Sequence, residues 1–160
     1  MAKAMWGLEK FSLFKGLTPN DIQAITQIAV KSIFNTGDII TDQNAKSREL
    51  YLLIDGKVDI ISPGGIQLYR ITTGETFGEL ALAKNIKRTA IAVARQKSVI
   101  LVINMNHLDS FGVEYPEIYN VLTNNIVNSL GVKLARANKL IELLKSEIAK
   151  NVKNRNSDAE

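Results

Sequence analysis

The stretch FGELALAKNIKRTA, residues 77–90, carries a Gly78-Glu79 pair near one end and Arg88 near the other. Gly78 has no side chain, so the backbone there can come close to a bound group. A short helical turn after it would direct amide N–H groups outward and form an anion site. Arg88 can add a planar, two-pronged cation that suits a phosphate. These features predict an anion-binding turn.

Glu79 points to a second part of the ligand. A carboxylate gains nothing from facing a phosphate, so it must face a donor such as a sugar hydroxyl. A site with groups that suit both a phosphate and a hydroxyl predicts a nucleotide ligand. The alternative from the residues alone is a surface pair between Glu79 and Arg88 beside a tight turn.

The same stretch resembles the phosphate-binding cassette of cyclic nucleotide-binding domains, which occur in catabolite activator proteins, cyclic-nucleotide-dependent kinases and gated channels. The shared text is FGELAL, a short spacer and RTA. In that family the arginine pairs with the cyclic phosphate, the glutamate accepts from the ribose 2′-hydroxyl, and backbone N–H groups of the turn complete the cradle. The resemblance therefore implies a phosphate set, Arg88, Thr89, Ala90, Leu80 and Ala81, and a ribose set, Gly78 and Glu79.

The base is less clear from this resemblance. Threonine after the cassette arginine is common among cyclic-GMP binders, so Thr89 fits cyclic GMP without excluding cyclic AMP. Ile60 and Leu68 align with apolar residues that contact the ligand from the barrel wall, although both are equally good core residues. Lys133-Leu134 aligns with the base-contacting Thr-Ser pair of catabolite activator proteins, and this departure leaves base recognition open.

Composition limits the remaining possibilities. The chain has 160 residues, 46% of them hydrophobic and 22% charged, which is typical of a single globular domain. It has no cysteine, no apolar run long enough for a membrane span and no signal peptide, so we expect a cytoplasmic protein without disulfides. The net charge of +4 could indicate nucleic acid, but the basic residues mix with acids along the C-terminal segment, which a solvated helix face explains equally well.

Periodicity predicts the fold. Residues 4–10 read as a short helix, and Thr18-Pro19-Asn20-Asp21 starts another. From Val30 the apolar period becomes about 2, with glycine turns between short runs, and Asp55-Gly56 predicts a hairpin. This pattern is typical of a β-sandwich or a jelly roll, and the resemblance selects the jelly roll. The predicted strands are residues 30–34, 39–41, 50–54, 57–61, 67–71, 89–94 and 98–103.

Helices return in the last third of the chain. Asn106 is the predicted cap of a short helix over 107–111, and Pro116 opens a helix that continues to about Val152. Apolar residues in this helix recur at alternating spacings of three and four, which predicts homodimer pairing through residues 127–148. The alternative is that the helix packs on its own domain. The seam consists of Val127, Leu130, Leu134, Ala137, Ile141, Leu144 and Ile148.

The predicted organisation is an N-terminal helical segment with a cyclic nucleotide-binding β-roll over 1–115, a coupling helix over 116–152 and a polar tail over 153–160. We expect a cyclic-AMP or cyclic-GMP sensor that signals to an unknown effector protein, without a DNA-binding domain in this chain. The alternative is a coiled-coil interaction protein whose pocket is vestigial. The polar loop 42–48 lacks the glycines usual in the family, and the sequence offers no explanation for their loss.

No enzyme or metal site is expected. A metal-binding jelly roll needs several histidine and carboxylate ligands, and this chain has only one histidine, His107. Glu79 with Asp55 or Asp59 could be imagined as an acid–base pair, but Arg88 explains Glu79 better.

Overall fold

The computed structural model describes residues 7–43, 45, 48–83 and 86–157. The chain divides into two compact units, Met1–Ile126 and Val127–Glu160, and the division falls inside the last helix. Both sheets and the predicted cassette belong to the first unit. Residues 4–6 of the predicted first helix lie outside the described residues.

The chain enters the first unit through short helical segments. Two 3₁₀ turns, Leu8–Lys10 and Ser12–Phe14, precede helix α1 (Pro19–Gln27). The described part of the predicted helix over 4–10 is therefore a single 3₁₀ turn. α1 ends at Gln27, and Ala29 begins the first strand.

The start of α1 confirms its predicted cap. The Thr18 hydroxyl accepts from the Asp21 backbone N–H at 3.3 Å, and the Asp21 carboxylate accepts from the Thr18 backbone N–H at 2.9 Å. This reciprocal pair satisfies two amides that the first turn leaves without a helical acceptor.

Among the described residues, eight strands form the body of the first unit, most of them within two residues of the predicted bounds. The exception is β6, which alternation missed because two residues are too few to show a period. The strands are β1 (Ala29–Phe34), β2 (Ile39–Thr41), β3 (Glu49–Asp55), β4 (Lys57–Ile61), β5 (Gln67–Thr72), β6 (Thr76–Phe77), β7 (Ile91–Ala94) and β8 (Ser98–Asn104).

The strands pair in two antiparallel four-stranded sheets. The first has the order β1-β8-β3-β6 and the second has the order β2-β7-β4-β5. Strands that follow each other along the chain therefore often lie in different sheets, as in a jelly roll. The predicted fold class, a β jelly roll with N-terminal helices and a long C-terminal helix, is confirmed.

The predicted hairpin at Asp55-Gly56 is wrong. β3 pairs with β6 and β8, whereas β4 pairs with β5 and β7, so these two residues carry the chain from one sheet to the other. Gly56 has φ +115°, and an added Cβ would lie 2.3 Å from the Ser98 Oγ and 2.7 Å from the Ser98 Cα. The corner therefore has room only for a glycine.

β3 separates two apolar cores because successive side chains on a strand face opposite ways. Leu50 and Leu52 pack with the helices on the outer face of the first sheet, while Tyr51 and Leu53 pack between the two sheets. Both faces of β3 are buried, so it is a central strand to which the functional segment can be anchored.

A buried carboxylate is clamped on β4. Asp59 accepts from the Arg70 Nε at 2.7 Å and Nη2 at 3.2 Å, and from the Arg95 Nε at 2.5 Å. Hydrogen bonds from Arg70, followed by those from Arg95, hold the pKa of Asp59 below its ordinary value. This cluster links β4, β5 and the turn after β7.

Two helices follow β8. Helix α2 (Met105–Glu114) is capped by Asn104, whose side chain accepts from the backbone N–H groups of Asn106 and His107, so the predicted cap at Asn106 is wrong by two residues. Helix α3 (Pro116–Ser157) begins where predicted and continues past Val152 into the expected polar tail.

Within the described ranges, no helix combines the length and the apolarity that crossing a bilayer requires.

We predict that Gly56→Ala destabilises the first unit more than Gly37→Ala. Both glycines have positive φ, which costs other residues about 1–2 kcal/mol, but nothing lies within 4 Å of a Cβ added at Gly37. Overpacking against Ser98 should cost Gly56→Ala about 1–3 kcal/mol more. Equilibrium urea unfolding of both variants measures the difference, and equal losses would contradict the close corner.

Candidate functional site

Gly78 joins β6 to a four-residue 3₁₀ turn, Glu79–Leu82, and adopts φ +79°. A Cβ added there would lie 2.5 Å from the Arg88 Nη1 and 2.9 Å from both the Glu49 carbonyl oxygen and the Tyr51 Cδ2. A larger residue would therefore be strained in its backbone and would displace three groups at once. Arg88 and strand β3 therefore approach the 3₁₀ turn most closely at Gly78.

Arg88 lies against this glycine, so the two ends of the 77–90 stretch meet. Its Nη2 donates to the Glu49 carbonyl at 2.7 Å and its Nη1 donates to the Gly78 carbonyl at 3.2 Å. Its Cζ lies 5.4 Å from the centroid of the Tyr51 ring, within the range of a cation–π contact. Arg88 is therefore held in place by both carbonyls and by the ring.

Tyr51 is the platform under Arg88. Its ring is buried and stacks on Phe77 with centroids 4.8 Å apart and planes 12° from parallel. Its hydroxyl donates to the Glu49 carboxylate at 2.7 Å. Burial, followed by the hydrogen bond to Glu49, raises the pKa of Tyr51 to about 12, so the ring stays a neutral phenol at neutral pH. Tyr51 therefore fixes the plane on which the arginine rests.

The Glu79 side chain is only 5% exposed. The buried Thr76 hydroxyl donates to the Glu79 Oε1 at 2.7 Å. This hydrogen bond orients the Glu79 carboxylate. Burial raises the pKa of Tyr69, and the charges of Glu79 and Glu75 raise it further.

The turn after Gly78 differs in one respect from the expected cradle. The Ala81 backbone N–H donates to the Gly78 carbonyl at 3.0 Å, so this amide closes the turn instead of pointing outward. Amides that precede it have no acceptor within such a turn. Ala81 is buried, and Leu80 is 37% exposed.

The residues after Arg88 lead into β7. Thr89 is exposed and Ala90 packs against the core between the sheets. Both precede β7, which begins at Ile91 and not at Thr89 as predicted.

The strand register bears on the predicted barrel wall, where ligand contacts of Ile60 and Leu68 stay predictions. Ile60 is buried in the core between the sheets, whereas Leu68 is 49% exposed. β4 pairs Ile60 with Tyr69 and Ile61 with Gln67, so Leu68 is the extra residue of a β-bulge. Tyr69, not Leu68, therefore shares a face with Ile60.

The model of the cyclic nucleotide-binding domain family matches residues 31–115, more than half of the chain. The chain belongs to this family. The matched segment runs from β1 to the end of α2 and contains Gly78, Glu79 and Arg88. The family resemblance that the 77–90 stretch indicated is thereby confirmed. The match covers most of the first unit.

Two curated relatives illustrate the range of proteins that carry such a domain. The chain is 30% identical over 124 residues to the potassium channel KAT1 of Oryza sativa subsp. japonica, covering 76% of this chain and 17% of the channel. It is 27% identical over 135 residues to the Pycsar effector protein BcPycTIR of Burkholderia cepacia, covering 84% of this chain and 42% of that protein. The chain thus spans less than half the length of these family members.

Solved structures agree with the fold. The catabolite activator protein of Thermus thermophilus is 26% identical, with a TM-score of 0.69 over 84% of this chain and 63% of that chain. A cyclic nucleotide-binding domain from Methylobacillus flagellatus KT has a TM-score of 0.76 over 84% of this chain and 78% of that chain. Its identity is 16%, so it supports the fold alone.

The family motif did not reveal every residue that forms the site. Glu49 and Tyr51 lie on β3, and in the sequence Tyr51 is recognisable only as part of an apolar strand. Thr76 stands directly before the motif but belongs to a strand too short to recognise. The sequence signal that these three residues share is a polar group on a strand that is otherwise apolar. Lys133 lies in the second unit, and its contact with a base stays a prediction.

The residues considered for metal or acid–base chemistry lie in other surroundings. His107 is exposed on α2, and within the described ranges no three histidine, cysteine or carboxylate side chains cluster as a metal ion would need. Asp59 bonds Arg70 and Arg95, whereas Glu79 bonds Thr76, so the two carboxylates have separate partners.

Proposed function

We propose that this chain binds a cyclic nucleotide, cyclic AMP or cyclic GMP, and acts as a sensor domain for an effector protein. The observation that carries the proposal is a guanidinium held against Gly78, whose neighbour in the chain, Glu79, has a buried carboxylate. A phosphodiester and a sugar hydroxyl on one small ligand match these two groups. Membership of the family supports the same ligand class.

Arg88 is the proposed phosphate residue. Its guanidinium is held by two carbonyls and an aromatic ring, so little side-chain entropy remains to be lost when an anion binds. The outward amides at the start of the Glu79–Leu82 turn would add donors next to it. Thr89 and Ala90 follow directly and would border the same phosphate.

Glu79 is the proposed ribose residue, with Gly78 allowing the sugar to approach the backbone. Thr76 fixes one carboxylate oxygen, which leaves Glu79 oriented before the ligand arrives. A vicinal sugar hydroxyl is the donor that a carboxylate beside a phosphate site can accept from.

The candidate base contacts come from the barrel wall and from Thr89. Ile60 and Tyr69 share the inner face of β4 and β5, and they would border a base from the barrel side. The exposed hydroxyl of Thr89 fits a guanine amino group, and adenine stays an equal candidate. The contact predicted for Lys133 also stays a proposal, as does a cytoplasmic location.

We predict that Arg88→Ala weakens binding of cyclic AMP and cyclic GMP by about 2–5 kcal/mol, because a bound phosphate would lose its charged partner. Isothermal titration of the wild type and variant measures this loss. Arg95→Ala is the matched control: it removes an arginine that bonds a carboxylate outside the 77–90 stretch. Equal affinity of Arg88→Ala and the wild type would refute the phosphate site.

We predict that the wild type binds 2′-deoxy cyclic nucleotides more weakly than the ribose forms, by about 1.5–3 kcal/mol for one hydrogen bond to a charged group. Glu79→Gln should reduce this preference, because the amide oxygen accepts without a full charge. The comparison uses two ligands on each protein, so a general loss of stability cancels. A wild type that does not distinguish the two sugars would remove Glu79 from the ribose role.

We also propose that the second unit pairs with a second copy of this chain. Within this unit the predicted seam residues Leu134, Ile141, Leu144 and Ile148 are each at least half exposed in the single chain. Single chains in water rarely leave so long an apolar stripe uncovered. The heptad spacing of the stripe suits another helix with the same spacing, and a second copy supplies one. The competing function is that of a coiled-coil interaction protein in which the nucleotide pocket of this chain is vestigial.

We predict that Ile141→Lys combined with Leu144→Lys gives a folded monomer, because like charges would face each other across the seam. Ala135→Lys combined with Ser146→Lys is the control, since it adds the same charge outside the heptad seam. Sedimentation equilibrium should find dimers for the wild type and the control. A wild type that is monomeric at tens of micromolar, with and without cyclic nucleotide, would contradict pairing.

A further inference from the structure

Arg48 ends the polar loop that the sequence could not explain. Residues 44, 46 and 47 of this loop lie outside the described residues, whereas Arg48 is described and its side chain is only 19% exposed. Its backbone carbonyl accepts from the Met105 N–H at 2.8 Å, which fixes the residue beside the start of α2. The end of the loop is therefore anchored.

The Arg48 guanidinium reaches the cassette on one side and α2 on the other. Its Nε donates to the Ala81 carbonyl at 3.1 Å. Its Nη1 donates to the Asn106 Oδ1 at 2.6 Å and to the Asp109 Oδ2 at 3.1 Å. A planar fork can make these contacts in different directions at once, which a lysine ammonium on a flexible stem does poorly.

The network continues from α2 into the first turn of α3, still inside the first unit. The Tyr119 hydroxyl donates to the Asp109 Oδ1 at 3.3 Å. Burial and the charge of Asp109 raise the pKa of Tyr119, so its hydroxyl keeps the proton that it donates. One chain of hydrogen bonds thus runs from the Ala81 carbonyl to α3.

We propose that Arg48 is the positioning residue of the cassette and the link between its turn and helix α2. The inference rests on the proposed function, because it concerns the turn that would hold the ligand. Arg88 holds the Gly78 carbonyl at the start of the turn, and Arg48 holds the Ala81 carbonyl within it. Both peptide groups are thereby oriented, which sets the direction of the amides between them.

This arrangement makes ligand binding and the packing of α2 mutually dependent. If α2 holds Arg48, and Arg48 holds the turn, a ligand that stabilises the turn also stabilises the docked position of α2. The coupling must be equal in both directions. An exposed ion pair would contribute little, but the Arg48 side chain is mostly buried and also bonds a backbone carbonyl.

The first test compares Arg48→Met with the wild type by titration with cyclic AMP and cyclic GMP. Met keeps the apolar stem and removes the donors, so affinity should fall about tenfold, the usual effect of losing a hydrogen bond to a charged group. Arg48→Lys should lie between the two. The matched control is Arg70→Met, which breaks an arginine–aspartate pair elsewhere in the unit and should leave affinity unchanged. Unchanged affinity in Arg48→Met, with a wild type that binds, would overturn the positioning role.

The second test is amide hydrogen exchange, which reports the turn and the helix separately. Without ligand, amides of residues 79–83 should exchange faster in Arg48→Met than in the wild type or Arg70→Met. With ligand, exchange in α2 should slow in the wild type and should not slow in Arg48→Met, while Asp109→Asn should reduce the effect. An equal ligand effect on α2 in the wild type and Arg48→Met would overturn the link.

The two proposals fail in different ways. If the wild type binds neither cyclic nucleotide, the proposed function is wrong, and the exchange of residues 79–83 in the ligand-free protein still decides whether Arg48 positions the turn. If the wild type binds but the Arg48 variants match it, the function stands and the inference about Arg48 is wrong.

Discussion

The space left by the missing Cβ of Gly78 is the constraint on which the site depends. The Arg88 guanidinium, the Glu49 carbonyl and the Tyr51 ring all approach to within 3 Å of where that atom would be. The positive φ of the glycine turns the chain from β6 into the 3₁₀ turn, so the same residue sets both the direction of the turn and the place of the arginine. Any side chain at position 78 would push the guanidinium, the carbonyl and the ring apart.

β3 gives this arrangement its rigidity. Glu49 and Tyr51 lie on a strand that is paired on both sides and buried on both faces. The arginine therefore rests on a part of the fold that cannot move without opening the core. By contrast, the turn after Gly78 has few residues and depends on neighbours for its orientation, and in our proposal Arg48 provides the support at its far end.

Local chemistry explains what could be predicted from the sequence. Some features depend only on residues that are close together in the chain, so the sequence alone reveals them. They are the capping box of Thr18 and Asp21, the proline at the start of α3 and the two-residue period of most strands. The cassette was recognisable because its groups lie within one short stretch. The sequence, together with the family resemblance, thus predicted the jelly roll and the family, and it marked Gly78, Glu79 and Arg88 as candidate site residues.

The tertiary structure decided the contacts between residues far apart in the chain. Asp55-Gly56 has the local pattern of a hairpin, but the pairing partners of the two strands place it at a crossing between sheets. A bulge turns Tyr69 rather than Leu68 to the face of Ile60. The platform of Tyr51 and the anchor of Arg48 also depend on strand pairing and helix packing. Their physical reason is the same: register and close approach follow from which surfaces are buried together, and no short window of sequence contains both surfaces.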